Sequence, residues 1–267
     1  MNNAYYLKYG LDYNPFIKNT NKVFIETSEV KELNARLDFL IQTRGMGLVT
    51  GQPGLGKTSA LRNYIEKLNP NNYKVIYISL STLTVVEFYH LLAESLGNEP
   101  KYRKPDNFKL IQNSITLLAD GKKITPIIVI DEANALSSKI LADLKILFNF
   151  NMDSKDKAVI ILSGLSSIND ALNYRSHDDI RQRIVTKFEM QPLSENDSLN
   201  YLQTKLEKAG GSMSIFEEGA VKAIISLSAG IPRMIDKVMN TALLIGDKYN
   251  SKLITREVVQ MVEDEIK

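Results

Sequence analysis

The chain has 267 residues, of which 44% are hydrophobic and 24% are charged, a balance that is typical of a globular protein and excludes a disordered or fibrous chain. It contains no cysteine, which excludes a disulfide framework, a thiolate zinc site and cysteine catalysis. The net charge of +2 comes from 33 basic and 31 acidic residues, so any surface that binds nucleic acid must be local.

The N-terminus and the apolar runs indicate where the protein acts. The first ten residues lack the apolar stretch behind a basic start that marks a signal peptide. No run approaches the roughly 20 apolar residues that cross a bilayer. We therefore expect a cytoplasmic protein without a membrane partner.

Apolar runs of strand length alternate with amphipathic stretches of helix length through the first two thirds of the chain. Most of these runs are continuous, which favours parallel strands buried on both faces. The predicted strands are residues 46–50, 74–80, 126–131, 158–163 and 184–189, and the predicted helices are 57–68, 85–96, 107–119 and 138–149. Strand–helix alternation with short connections predicts a three-layer α/β domain with right-handed crossovers.

Local signals support these helices. Thr84 with Glu87 predicts a capping box before the second helix, and Asp106 and Ser137 are candidate caps of the next two. The basic and aromatic stretch at residues 101–105 predicts a loop.

After Gln191-Pro192-Leu193 only helical patterns remain. Four helices are predicted from residues that start or stop a helix. The first runs from Ser194 to Gly210, the second from Ser214 with Glu217 to Gly230, the third from Pro232 to Asp247, and the fourth from Thr255 to the end of the chain. We predict two domains. The first is an α/β core over residues 1–190, which includes an aromatic N-terminal segment at 1–30, and the second is a small all-helical domain over residues 191–267.

A glycine-rich loop between the first strand and the first helix is the strongest chemical signal. Its residues are Gly51, Gln52, Pro53, Gly54, Leu55, Gly56, Lys57, Thr58 and Ser59. The pattern G-x-x-x-x-G-K-[ST] directs backbone N–H groups and a helix N-terminus toward phosphate. We expect Lys57 to reach the β- and γ-phosphates of ATP and Thr58 to coordinate Mg²⁺.

Two adjacent carboxylates end the third predicted strand. Asp131 would support Mg²⁺ at the carboxyl edge of the sheet, and Glu132 would orient or deprotonate the attacking water. Adjacent acids at a strand end also cap helices. Their pairing with the phosphate-binding loop favours the catalytic interpretation.

Three further polar positions follow in chain order. Ser163, at the end of the fourth strand, would sense the γ-phosphate or make a turn bond. Arg183, with Arg181 second, would reach the γ-phosphate of a neighbouring subunit or form a surface salt bridge. Arg233 would bend back to the phosphates or stack against the domain junction.

Aromatic residues at positions 5, 6, 9, 13 and 16 form a cluster near the N-terminus. Such a cluster is typical of packing, but Phe16 is also a candidate to lie over the adenine ring. The two histidines, His90 and His177, have no cysteine partners, so we expect no zinc site.

Taken in this order, the motifs resemble those of the AAA+ ATPases. GQPGLGKT resembles Walker A, IIVIDE resembles Walker B, Ser163 resembles sensor 1, Arg183 resembles the arginine finger and GIPR, ending at Arg233, resembles sensor 2. The family implies strand order 5-1-4-3-2 and ATP bound in the cleft between the core and a helical lid. It also implies oligomers in which one subunit's arginine completes its neighbour's site.

A narrower resemblance is carried by YGLDYNPF at residues 9–16 and by IRQRI at residues 180–184, followed by QPLS. Both look like ExeA-type ATPases and the transposition helpers of the TnsC, TniB, MuB and IstB type. The helpers bind DNA in an ATP-dependent oligomer and deliver it to a transposase. ExeA-type proteins usually carry a further membrane-linked region that we do not find in this sequence, which favours the transposition helpers.

The resemblance therefore implies a sequence-nonspecific DNA-binding regulator of transposition. It would be a slow, assembly-dependent ATPase that forms a ring or filament on double-stranded DNA and recruits or activates a transposase. The alternative is an ATP-switched assembly protein with a protein client, in secretion or signalling and without DNA.

A few residues between the second strand and the third helix are candidates for the DNA contacts. Lys101, Arg103 and Lys104 form the densest local basic group, and Thr82 and Thr84 would add hydroxyl contacts to phosphate. In the helper ATPases this region lines the central channel. A solvated loop is the alternative, and without a helix-turn-helix or zinc-finger pattern we expect no base-specific reading.

Overall fold

The computed structural model of the protein describes residues 5–18, 20, 24–79, 82–150 and 154–266. Within these residues, five parallel strands form one sheet in the order β2-β3-β4-β1-β5. The strands are β1 (Gly45–Gly51), β2 (Tyr73–Ile78), β3 (Thr125–Ile130), β4 (Val159–Ser163) and β5 (Ile184–Met190). The order is the predicted one, and all five predicted strands are present; Leu80 of the predicted second strand lies outside the described residues.

Helices flank the sheet and form the C-terminal part of the chain. They are α1 (Ser28–Thr43), α2 (Lys57–Glu66), α3 (Val85–Ser95), α4 (Lys104–Thr116), α5 (Ser138–Leu147), α6 (Ile168–Leu172), α7 (Asp178–Gln182), α8 (Glu195–Lys208), α9 (Ala220–Ser228), α10 (Pro232–Lys248) and α11 (Arg256–Ile266). Helices α1, α6 and α7 are not among the predicted elements. A five-residue helix such as α6 is too short to show a helical period.

The sheet is a buried scaffold. Every residue of β1, β3 and β4 is buried, as expected for parallel strands covered on both faces. Apolar side chains of β3 and β4, such as Ile128 and Leu162, share one core with residues of α3, α4 and α5. Because all strands are parallel, their carboxyl ends meet at one edge, where Asp131 follows β3 and Ser163 ends β4.

The capping predictions for α3 and α5 are confirmed. Thr84 and Glu87 form the capping box of α3: the Glu87 carboxylate accepts from the Thr84 N–H at 2.8 Å, and the Thr84 hydroxyl accepts from the Glu87 N–H at 3.4 Å. Ser137 caps α5 by accepting from the Ile140 N–H.

Two boundaries were predicted wrongly. Helix α4 begins at Lys104, so the stretch 101–105 is only partly loop, and Asp106 lies in the first turn rather than at the cap. Pro105 suits this first turn because its missing N–H has no helical partner there.

The helix predicted from Ser214 begins instead at Ala220. The preceding residues Met213–Ile215 form a short 3-10 helix instead, and Phe216 then makes an isolated bridge with Ile254. In this bridge Ile254 donates to the Ile215 carbonyl at 2.7 Å and Glu217 donates to the Ile254 carbonyl at 3.0 Å. The Ile215 carbonyl and the Glu217 N–H are therefore not available to an α-helix that begins at Ser214.

The chain divides into two compact units. Residues 32–53 and 57–190 form the sheet unit, and residues 1–31, 54–56 and 191–267 form the helical unit. The sequence predicts the aromatic segment at residues 1–30 as part of the α/β core, whereas the described residues of this segment belong to the helical unit. The reason is hydrophobic: the N-terminal side chains Tyr9, Leu11 and Phe16 are buried in the core built by α8 to α11.

Glycines of the helical unit make room for the N-terminal segment. A Cβ at Gly211 would lie 2.4 Å from Leu11 Cδ2, and one at Gly246 would lie 2.1 Å from the Tyr9 hydroxyl. The Tyr9 hydroxyl donates to the Ser251 carbonyl at 3.3 Å. The segment is therefore packed at atomic contact into the helical unit.

We expect Gly246→Ala to lower the free energy of unfolding by about 1–3 kcal/mol, the usual cost of overpacking. The cause is the contact with the Tyr9 hydroxyl, so Tyr9→Phe should relieve part of it even though it loses a hydrogen bond. Urea unfolding of both single variants and of the double variant measures this. The double variant should be more stable than the sum of the single effects predicts, and strict additivity would contradict the explanation.

Candidate functional site

Two glycines shape the loop between β1 and α2. Gly54 and Gly56 have φ of +89° and +98°, a region that glycine adopts without steric cost. Gly54 is also held by close packing: a Cβ there would lie 2.9 Å from Arg233 Cβ, and its carbonyl accepts from the Arg233 N–H at 3.2 Å. Both residues belong to the helical unit.

The lysine of the loop begins helix α2. The Lys57 ammonium donates to the Gly51 carbonyl at 2.8 Å and to the Gln52 carbonyl at 2.9 Å. The N-terminus of α2 adds unpaired backbone N–H groups and the positive end of the helix dipole. This arrangement is chemically suited to a phosphate chain.

Asp131 is the centre of a hydrogen-bond cluster at the carboxyl edge of the sheet. It is only 5% exposed. Its Oδ2 accepts from the Thr58 hydroxyl at 2.8 Å and from the Tyr77 hydroxyl at 2.7 Å, and its Oδ1 accepts from the Ser163 hydroxyl at 2.8 Å and the Glu132 N–H at 3.0 Å. Residues from β2, α2, β3 and β4 thus meet at one carboxylate.

These donors decide the charge of Asp131. Burial opposes ionisation, but hydrogen bonds from Tyr77, Thr58, Ser163 and the Glu132 N–H together hold the pKa of Asp131 below its usual value. A carboxyl with a lowered pKa stabilises the fold above its unfolded pKa, and this contribution is lost as the pH falls through its folded pKa. Asp131 is therefore an anion at neutral pH.

The donor set fits Mg²⁺. The Thr58 hydroxyl and the Asp131 carboxylate are neighbouring oxygen ligands, the kind this cation prefers, and Mg²⁺ commonly takes one or two protein oxygens together with phosphate and water. The assignment of Thr58 and Asp131 as metal ligands stays a prediction.

Tyr77 is the member of this cluster that the sequence analysis missed. It lies on β2 directly opposite Val129. Burial, the larger cause, and the hydrogen bond to Asp131, the second cause, raise the pKa of its hydroxyl. The signal in the sequence is a tyrosine between the two isoleucines Ile76 and Ile78. Its partner could not be inferred, because the two residues are 54 positions apart.

Glu132 directly follows this cluster and is exposed. Its backbone is left-handed, with φ of +53° and ψ of +36°, which is uncommon for a residue with a side chain. Within the described part of the chain its carboxylate makes no hydrogen bond or ion pair. A carboxylate of this kind is accessible to water and to substrate.

The arginine candidates lie away from this cluster. Arg183 caps α7 immediately before β5, and its carbonyl accepts from the Met46 N–H at the amino end of β1. A seven-residue strand spans about 20 Å, so Arg183 lies at the opposite edge of the sheet from Asp131. Arg181 is paired with Asp178 at 2.7 Å.

Two of the residues predicted to contact ATP, Arg233 and Phe16, belong to the helical unit. Arg233 is exposed in the first turn of α10. Phe16 is 5% exposed in the helical core, where the Lys205 ammonium lies 5.5 Å from its ring centroid. Its contact with adenine stays a prediction.

The DNA candidates have different environments. Thr82, Lys101 and Arg103 are exposed. Lys104 is half-buried, and its ammonium pairs with Asp143 at 2.7 Å and lies 5.3 Å from the centroid of the Tyr89 ring. The Thr84 hydroxyl serves the capping box.

The amino-acid sequence is similar to the sequences of several known proteins. Residues 40–172 match the family model of the AAA domain. General secretion pathway protein A of Aeromonas hydrophila is 28% identical over 265 residues, which cover 97% of this chain and 48% of that protein. ATP-dependent target DNA activator B of Escherichia phage Mu is 32% identical over 125 residues, which cover 46% of this chain and 38% of that protein.

A solved structure supports the fold. Cdc6p from Pyrobaculum aerophilum superposes with a TM-score of 0.70 at 16% identity and covers 94% of this chain and 70% of that one. The chain belongs to the AAA+ ATPases, whose members bind ATP or ADP. The chain spans about half the length of general secretion pathway protein A and a smaller share of target DNA activator B. Among the described helices, none combines the length and apolar character needed to span a bilayer.

Proposed function

We propose that the protein is an ATP-dependent, sequence-nonspecific DNA-binding regulator of DNA transposition. It oligomerises on double-stranded DNA as a ring or filament and recruits or activates a transposase. The observation that carries the proposal is the 32% identity with a protein named ATP-dependent target DNA activator B. We place the activity in the cytoplasm, where ATP and DNA occur together.

The ATPase step is assigned to residues of the sheet unit. Lys57 binds the phosphates, while Thr58 and anionic Asp131 would hold Mg²⁺, which would neutralise negative charge on the phosphates. Glu132 accepts the proton of the attacking water, a role that its exposed carboxylate supports. Ser163, which donates to Asp131, reports the state of the γ-phosphate.

Assembly is assigned to Arg183. Its position at the amino edge of the sheet is about a strand length from its own Asp131, so it completes the site of a neighbouring subunit instead. Hydrolysis in this proposal is slow until subunits assemble. Arg233 contacts the phosphates from the start of α10.

The DNA contact is assigned to exposed residues. Lys101 and Arg103 are the main candidates, with Thr82 as a hydroxyl donor. Lys104 and Thr84 are weaker candidates, because Asp143 and Glu87 already engage their polar groups. An oligomer repeats a few positive charges along the duplex, so a net charge of +2 does not oppose binding.

A second candidate function is an ATP-switched assembly protein with a protein client. It is favoured by the similarity to general secretion pathway protein A, which extends over 97% of this chain. This candidate predicts ATP-dependent oligomers that are indifferent to DNA.

The test is DNA binding by Glu132→Gln protein with ATP, with ADP and without nucleotide, across a salt series. We expect binding that requires ATP, ignores sequence and weakens steeply with salt. Adding Lys101→Ala and Arg103→Ala should reduce the slope of log K against log salt by about 2, since each phosphate contact contributes roughly one.

The matched control replaces the exposed lysines Lys222 and Lys237 of the helical unit with alanine, and it should leave the slope unchanged. Absence of DNA binding at low salt, with ATP-dependent oligomers intact, would favour the second candidate function.

A further inference from the structure

The turn that carries Glu132 is anchored on both sides to the residues at the end of β4. On one side, the Ser163 hydroxyl donates to Asp131 at 2.8 Å. On the other, the Asn134 side-chain oxygen accepts from the Leu165 N–H at 2.8 Å. Ser163 and Leu165 thus bond to Asp131 and Asn134, which lie on either side of Glu132 in the chain.

Gly164, between those two anchors, allows the close approach. Its N–H donates to the Val49 carbonyl of β1 at 3.0 Å, which fixes it to the sheet. A Cβ at this position would lie 2.6 Å from the Asn134 side-chain oxygen and 3.2 Å from the Ala133 nitrogen. The turn that contains Glu132 therefore packs directly against the backbone that follows β4.

The anchor acts on a turn with an unusual backbone. Glu132 is left-handed, and the next residues form a single tight turn in which Ala135 donates to the Glu132 carbonyl at 2.9 Å. Left-handed backbone is costly for a residue with a Cβ, and it persists where the surrounding structure holds it. Asn134 is half-buried and supplies a side-chain hydrogen bond between this turn and the backbone that follows β4.

We infer that Asn134 is a positioning residue for ATP hydrolysis. Its hydrogen bond to Leu165 holds the turn so that the Glu132 carboxylate is directed at the attacking water. The inference rests on the proposed role of Glu132 as the base, and it adds a residue that does not itself touch the nucleotide.

The experiment compares Asn134→Ala with Asn134→Asp. Alanine removes the acceptor for the Leu165 N–H, whereas aspartate keeps an acceptor oxygen at the same position. Asn134→Ala should lower kcat by about tenfold or more, the effect of a small displacement of a catalytic group, with ATP affinity unchanged. Asn134→Asp should restore most of kcat. Hydrogen exchange should show a faster Leu165 amide in the alanine variant only.

Asn98→Ala is the matched control. Asn98 is also half-buried and also bonds a backbone atom, the Ala93 carbonyl at 3.2 Å, but it lies far along the chain from the Glu132 turn. It should lower the unfolding midpoint without lowering kcat. Equal kcat losses in the Asn98 and Asn134 alanine variants would overturn the inference.

A double-variant cycle separates this inference from the proposed function. If Asn134 acts through Glu132, then Asn134→Ala should cause no further loss of kcat in a Glu132→Gln protein. Normal turnover by Glu132→Gln would overturn the role proposed for Glu132. Loss of turnover in Glu132→Gln with normal turnover in Asn134→Ala would overturn only the role of Asn134.

Discussion

Glu132→Gln is expected to stop ATP turnover while ATP stays bound. The amide has the size of the carboxylate but cannot accept the proton of the attacking water. General-base catalysis contributes about 10²–10⁴-fold to a rate, so kcat should fall by that factor. Phosphate release under saturating ATP measures turnover, and a fluorescent nucleotide measures affinity.

The fold should tolerate this substitution. Glutamine meets the same backbone restriction as glutamate at φ of +53°, and Glu132 is exposed, so no buried partner is lost. Asp131, which organises the neighbouring hydroxyls, keeps all four of its donors, including the backbone N–H of residue 132. Unfolding midpoints of the variant and the native protein should therefore agree.

The matched control for this prediction is Glu66→Gln, an exposed glutamate at the end of α2 in the same unit. It should leave turnover and affinity unchanged. A Glu132→Gln protein that hydrolyses ATP at the native rate would assign the base to another residue and remove the main chemical role proposed for the turn after β3.

Lys57→Ala is expected to abolish or severely weaken nucleotide binding. Hydrogen bonds made by a charged group contribute about 1.5–3 kcal/mol each, and the ammonium would donate to two phosphates. Since 1.4 kcal/mol corresponds to a factor of ten, we expect at least about 100-fold weaker binding of ATP. Isothermal titration with ATP and Mg²⁺ measures this directly.

The loop itself should survive the loss of Lys57. Its shape depends on the left-handed backbone of Gly54 and Gly56, which the substitution does not touch. The variant does lose the bonds to the Gly51 and Gln52 carbonyls, but in the folded protein these carbonyls can bond to water instead. The unfolding midpoint should fall slightly.

Lys67→Ala supplies the control, because this exposed lysine follows the same helix. It removes an equal charge without touching the loop. Equal losses of ATP affinity in the two variants would show a general electrostatic effect rather than a specific phosphate contact. Retention of native affinity by Lys57→Ala would contradict the nucleotide site as described.

Much of the site was predictable because its residues are marked by local patterns. The loop from Gly51 to Thr58 follows a spaced motif, and Asp131 ends a continuous apolar run. Parallel strands place their carboxyl ends at one edge, so the meeting of Thr58 and Asp131 follows from strand pattern and topology. The capping box of α3 was predictable for the same reason, since its two residues are three positions apart.

Long-range side-chain contacts were not predictable. Tyr77 reaches Asp131 from 54 positions away, and Lys104 reaches Asp143 from 39. Each pairing depends on the distance between two helices or two strands, which a single sequence does not contain. The sequence therefore places Lys104 in a basic surface group, although its ammonium is paired with Asp143.

The amino-acid sequence by itself determined the parallel sheet, the phosphate-binding loop, the acids after β3 and the helical C-terminal part, because periodicity and short spacings encode them. Only the tertiary structure decided that the N-terminal aromatic residues pack into the helical unit and that Asn134 joins the Glu132 turn to the segment after β4. Hydrophobic burial is non-directional, so a segment rich in Tyr and Phe can pack on any apolar surface. Its location is determined by which surface offers matching space, here the glycines at positions 211 and 246.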